Sequence, residues 1–166
     1  EVNVAKATSK KNRKKKALIA DQTVIGYQYD LTGNCADCVT RYLELSGLDR
    51  KALKEAATPC MEDSQLQDND LLTEGQLAKE CSKVVLKCLL IARLTRPDIY
   101  WTVNHLARHV SKWTKACDKR LFRLICYLNS TTDYVLQSYV GDSPEKCQLI
   151  LFTDASFAGD IQDSKS

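Results

Sequence analysis

A chain of 166 residues, 44% hydrophobic and 27% charged, has room for one ordinary domain, or a small domain plus part of another, with enough apolar material for a core. No apolar run approaches the ~20 residues that span a bilayer, and the N-terminus lacks the apolar stretch of a signal peptide, so the eight cysteines read as reduced thiols in a cytoplasmic or nuclear protein with no membrane partner. The net charge of +3 is unevenly spread: residues 10–16 (KKNRKKK) are almost purely basic, residues 62–74 are mainly acidic, and a basic excess follows Arg93. That asymmetry suits a partner carrying phosphates, and equally a solvated tail.

In chain order, residues 1–16 read as a basic disordered segment without apolar periodicity. Residues 17–30 (ALIADQTVIGYQYD) are rich in β-branched and aromatic side chains around a polar pair, and predict two short strands or a hairpin. Cys35, Val39, Tyr42 and Leu43 recur at helical spacing over residues 34–46, and Gly47 supplies a stop. Residues 48–72 read as a connector containing Pro59. Thr73-Glu74-Gly75-Gln76 has the form of a capping box and predicts the start of a long helix. Leu77, Cys81, Val84, Val85, Cys88 and Ala92 share one face of that helix. Leu86, Leu89 and Leu90 widen the face, so this helix is expected to be buried on two sides.

Pro97 fits the first turn of a further helix over residues 97–111, with a core stripe of Ile99, Val103, Leu106 and Val110. Thr114 is placed to cap another, with Cys117, Leu121, Leu124, Ile125 and Leu128 inward. The period then changes. Residues 134–140 (YVLQSYV) and 147–153 (CQLILFT) are strand-like and flank the turn-forming Gly-Asp-Ser-Pro, which predicts a β-hairpin.

Three constellations bear on chemistry. In LILFTDASFAGD, Asp154 follows an apolar strand, where a carboxylate needs hydrogen bonds or a cation. It reads either as a strand-end cap or as a metal ligand, whereas Asp160 and Asp163 read as solvated turn carboxylates. Next, Trp101, His105, Arg108 and Lys112 fall on one face of the 97–111 helix, opposite its core stripe, and Lys119, Arg120, Arg123 and Tyr127 cluster on the next helix. Cations pair with phosphates and aromatic rings stack on bases, so these faces are candidates for nucleic-acid binding, or are ordinary solvated helix surface. Finally, Cys35-Ala36-Asp37-Cys38 invites a zinc reading but has no second pair at suitable spacing, and both cysteines fit the buried stripe of their helix.

TRPDI at 95–99, TKACDKRLFRLICYLNST at 114–131 and TDASFAGDIQDSKS at 153–166 stand in an order and spacing that resembles the C-terminal polymerase region of copia-type retrotransposon polyproteins. YLELSGL followed by AATP at 56–59 is similar to that family's thumb region. The resemblance covers residues 24–166. It implies an α+β chain: a helical thumb-and-connection region over 17–130, then from 131 to 166 the opening β-hairpin of an incomplete ribonuclease H-like domain.

The same resemblance makes Asp154 the first carboxylate of a ribonuclease H site. Such a site uses two Mg²⁺ ions to activate water and to stabilise the leaving oxygen. The remaining acids would lie beyond Ser166 and the polymerase aspartates before Glu1. The implied function is thus that of the parent: RNA-templated DNA synthesis and hydrolysis of the RNA–DNA hybrid, with this segment gripping hybrid alongside the remainder of the polyprotein. The alternatives are a non-catalytic nucleic-acid-binding remnant and a helical interaction domain whose basic faces bind acidic protein.

Overall fold

The computed structural model describes residues 25–141 and 143–153. Residues 26–138 form one compact unit of helices closed by a strand pair. Its elements are β1 (Ile25–Tyr29), α1 (Thr32–Ser46), α2 (Asp68–Leu72), α3 (Cys81–Leu94), α4 (Tyr100–Arg108), α5 (Lys115–Ser130) and β2 (Leu136–Val140). Helix α1 packs on α3 and α5, and α4 does the same from the other side, so the four long helices form a ring. Val39, Val84, Val85, Ile91, Ile99, Val103, Leu106, Leu121, Leu124, Ile125 and Leu128 fill its centre. Mixed α and β content agrees with the sequence expectation.

Local chemistry accounts for most helix ends. The Asp30 carboxylate accepts the Thr32 N–H at 2.9 Å as α1 begins. Gly47 ends that helix at φ +69°, its N–H returning to the Leu43 carbonyl, a left-handed stop that glycine adopts without steric penalty. Helix α3 ends at Leu94, shortly ahead of Pro97. Pro97 disfavours helical backbone at Arg96 and then opens the 3₁₀ turn leading into α4. Thr114 occupies the N-cap of α5 as expected, but its hydroxyl goes to Cys117 Sγ instead of a backbone N–H.

The structure corrects several expectations. The capping box at 73–76 does not form, and α3 begins only at Cys81. The Gln76 and Leu77 N–H groups are taken by the Asp118 carboxylate, and the Thr73 hydroxyl is turned to Asn69 Oδ1. Helix nucleation at Leu77 therefore loses its free donors to a residue at the start of α5. Asp118 also accepts the indole N–H of buried Trp113 at 2.7 Å, and Gly75 N–H bonds the Trp113 carbonyl.

Inserting Trp113 also interrupts the helix expected over 97–111. The backbone tightens to a 3₁₀ turn at Val110–Lys112, then runs extended through Trp113. Helix α3 is not buried on two sides: Leu86 and Leu90 face outward and Leu89 is half-buried. The connector contains a helix, α2, absent from the sequence reading.

The hairpin of 134–140 with 147–153 is not present either. Strand β2 pairs antiparallel with β1, Gln137 Nε2 donating to Gln28 Oε1 at 3.1 Å, and residues 147–153 carry no strand. Outside the helical unit, the described residues that follow Tyr139 contain one 3₁₀ turn, Pro144–Lys146, where the Gly-Asp-Ser-Pro signal lies. Of the first predicted strand pair, only Ile25–Tyr29 lies among the described residues, and the basic run 10–16 lies outside them.

Gly75 marks the tightest crossing in the unit. A Cβ there would stand 2.6 Å from the Thr114 carbonyl oxygen, 2.7 Å from the Trp113 ring and 2.8 Å from Asp118 Oδ2. Backbone and a buried ring cannot all retreat. Gly75→Ala is expected to destabilise the unit by about 1–3 kcal/mol in urea unfolding. Gly33→Ala, where a Cβ meets nothing within 4 Å, serves as the control that stays near wild type.

Candidate nucleic-acid interface

Arg96 organises the site region. Its side chain is 3% exposed, and all five guanidinium N–H groups find acceptors. Nε and Nη2 grip Asp98 at 3.0 and 2.8 Å, Nη1 donates to the Thr131 carbonyl at 2.8 Å and to Cys35 Sγ at 3.7 Å, and Nη2 also reaches Thr131 Oγ1 at 2.7 Å. The rings of Tyr127 and Tyr134 lie 5.6 and 5.2 Å from the guanidinium carbon. Tyr127 Oη donates to Asp98 Oδ2 at 2.8 Å. The cation sits at the C-terminal end of α5, where it also complements the helix dipole.

Burial pushes the Asp98 carboxyl up, but hydrogen bonds from Arg96 and Tyr127 and the Arg96 charge outweigh it and hold it below its ordinary range. Burial raises the Cys35 thiol to about 11 despite the nearby Arg96 charge, so it stays protonated. Cys35 and Cys38 are both buried in the α1 stripe, and all eight cysteines are free thiols.

The basic face expected on α5 is largely engaged within the molecule. Residues 50–70 run antiparallel along this helix. Arg50 Nη1 bonds Asn129 Oδ1 at 2.8 Å, and Arg123 Nε bonds the Thr58 carbonyl at 2.9 Å. Farther along, Arg120 Nη2 pairs with Asp63 Oδ1 at 2.6 Å, and Lys119 pairs with Asp70. Lys115 Nζ lies 3.6 Å from Asp70 as well. Asp70 is 1% exposed, and the Lys119 hydrogen bond, then the Gln67 N–H, hold its carboxyl below the usual range. Tyr127 points to Asp98 and is buried. The carboxylates of the acidic segment thus occupy the places on α5 that phosphates were expected to take.

The α4 face is different. Trp101 is 63% exposed, and its ring stacks on His105 with centroids 5.4 Å apart and planes 15° from parallel. His105 meets the His109 ring at 4.7 Å, and His109 Nδ1 is 2.8 Å from the His105 carbonyl. Arg108 ends α4, and exposed Lys112 follows in the 3₁₀ turn. Of the four residues named from the sequence for this face, Trp101, His105 and Arg108 lie on α4, with Trp101 and Arg108 exposed and His105 half-buried, whereas Lys112 lies beyond the end of the helix. The α5 residues Lys119, Arg120 and Arg123 form a separate, internally paired group. Sequence reasoning missed Arg96, Asp70 and Asp118; an arginine two residues before an aspartate, and an acidic run matched to a basic helix, were the available signals.

Asp154, Asp160 and Asp163 lie outside the described residues. Among the described residues no three His, Cys, Asp or Glu side chains converge to fit a metal ion. Among them, too, no helix is long and apolar enough to cross a membrane. No protein-family model, curated protein or solved structure matches the chain.

The buried cation makes the unit sensitive to both truncation and acid. Arg96→Met, which leaves Asp98 and Thr131 without their donors, is expected to cost about 3 kcal/mol. Because the folded Asp98 pKa is depressed, its contribution is complete above the unfolded value of about 4 and is lost as pH falls through the folded value. Wild type should lose stability as pH falls from about 5 through the folded value, and Asp98→Asn should show a shallower slope in urea titrations across that range. Equal slopes would place the acid linkage elsewhere.

Structural and surface cations should also separate by thermal unfolding. Lys119→Ala removes the main cation from the buried Asp70 carboxylate, leaving it the Gln67 N–H and the more distant Lys115, and should lower the melting temperature by a few degrees. Lys112→Ala should leave it within a degree or so of wild type.

Proposed function

We propose that this chain is a nucleic-acid-gripping segment of a copia-type retrotransposon polyprotein, joining the polymerase to the ribonuclease H part of the parent and inactive alone. The observation that carries the reading is the exposed Trp101 ring stacked on His105 in a helix that ends at Arg108, with exposed Lys112 in the turn that follows. An open indole offers a stacking surface to a base or sugar, and Arg108 and Lys112, farther along the chain, are cations of the kind that meet a phosphate backbone. The Arg96 network ties together two of the segments that carry the resemblance, 95–99 and 114–131.

In this reading Lys119, Arg120 and Arg123 act indirectly, by fastening the acidic connector and so fixing the frame that holds α4. Asp154 and Mg²⁺ belong to the hydrolytic site of the complete parent, where the ions would activate water. The partner is RNA–DNA hybrid, read through its backbone and not its sequence. A non-catalytic remnant retaining the same grip is the alternative.

Fluorescence anisotropy with a labelled RNA–DNA hybrid tests this on the full chain. Trp101→Ala should weaken binding by about 1–3 kcal/mol. Arg108→Ala with Lys112→Ala should reduce both affinity and the dependence of log K on log salt, by up to about one unit of slope for each phosphate no longer neutralised. If all three changes leave affinity and slope as in wild type, the α4 face is not the interface.

A further inference from the structure

The outer face of α3 carries a feature unrelated to the α4 surface. Leu86, Leu90 and Leu94 are 60%, 51% and 53% exposed, each one helical turn from the next. At 100° per residue they occupy about 80° of circumference over about 12 Å of axis, on the side away from the core residues Val85, Cys88 and Ala92. Arg93 stands about 20° beyond one edge of the stripe and Lys87 about 20° beyond the other, with Lys83 at its N-terminal end. Helix α3 contains no acidic residue. Arg93 is steadied by Tyr100, whose phenol oxygen accepts hydrogen bonds from Asn104 and Arg93 that hold it below its ordinary value.

We propose that this face docks a partner polypeptide: an amphipathic helix that lays apolar side chains at i, i+4 spacing along Leu86, Leu90 and Leu94 and brings carboxylates to Lys87 and Arg93. Three leucines in register form the anchor line that helix-in-groove recognition uses. The occupant follows from the rim. A second copy of the chain is excluded by charge, since antiparallel pairing centred on Leu90 sets Lys87 against Arg93, and parallel pairing sets each cation against its like. A lipid surface is flat and would need apolar width on both sides of the stripe, where cations stand instead. Nucleic acid gains from the cations but gives the leucines nothing to bury against. An acidic-rimmed helix satisfies both.

Docking on α3 does not depend on nucleic-acid binding and is tested separately. A fluorescein-labelled helical peptide with leucines at helical spacing and glutamates flanking them is titrated with the full chain; its twin carries lysines in place of the glutamates. The acidic peptide should bind and the basic twin should not, with affinity falling as salt rises. Leu86→Gln with Leu90→Gln should weaken binding about tenfold or more, and Lys87→Glu about threefold or more, while circular dichroism stays that of wild type because these side chains face solvent. Four results overturn the proposal. They are equal binding of the two peptides, insensitivity to the leucine changes, leucine-dependent dimerisation in sedimentation, and leucine-dependent binding to phosphatidylserine-containing vesicles in preference to the acidic peptide.

Discussion

One guanidinium holds the helical unit to a single arrangement. Arg96 reaches its acceptors on α1, on the turn before α4 and on the end of α5, and two tyrosines cover it. A lysine could not substitute, because its three donors have no planar fork to meet Asp98 and Thr131 together. Burying the cation is favourable only because each donor is matched, and that condition fixes the mutual position of helices far apart in sequence. Most of the remaining packing is apolar and tolerant by comparison.

A second set of charges works at lower stringency. The acidic connector lies along α5 through pairs that range from the buried Asp70 to the exposed Asp63, and beneath it Ala116 and Cys126 are kept from water. Exposed pairs of this kind contribute little each, so the strap depends on Asp70 and on the apolar contacts of Leu53 and Ala56. The arrangement also separates the two cationic helices in role. Cations on α5 complete the fold, whereas α4 presents Trp101, and the turn after it Lys112, to solvent.

What could be read from the sequence was what neighbours in the chain decide. Gly47 as a stop, Pro97 as an opening, Thr114 at a cap and the inward stripes of α1, α4 and α5 all depend on residues within a few positions. What could not be read depends on partners far along the chain. Thr73 through Gln76 look like a helix start until Asp118, 42 positions beyond Gln76, takes the N–H groups. The run LQSYV is strand-like by pattern, yet pattern does not say that its partner is Ile25–Tyr29 and not the apolar residues that follow. The candidate site divides in the same way. Helical period put Trp101, His105 and Arg108 on one helix, but it could not foresee the break before Lys112, and the diversion of Lys119, Arg120 and Arg123 to the connector required knowing where the acids would go.

The pairing of β1 with β2 has a mechanical consequence. Because the strands are antiparallel and stand at the two ends of the helical unit, the chain enters at Ile25 and leaves at Val140 from the same end of the ribbon. Tension between the flanking segments therefore peels the ribbon one hydrogen bond at a time instead of shearing all of them together. The strands part at low force and lengthen the tether before any load reaches the Arg96 junction.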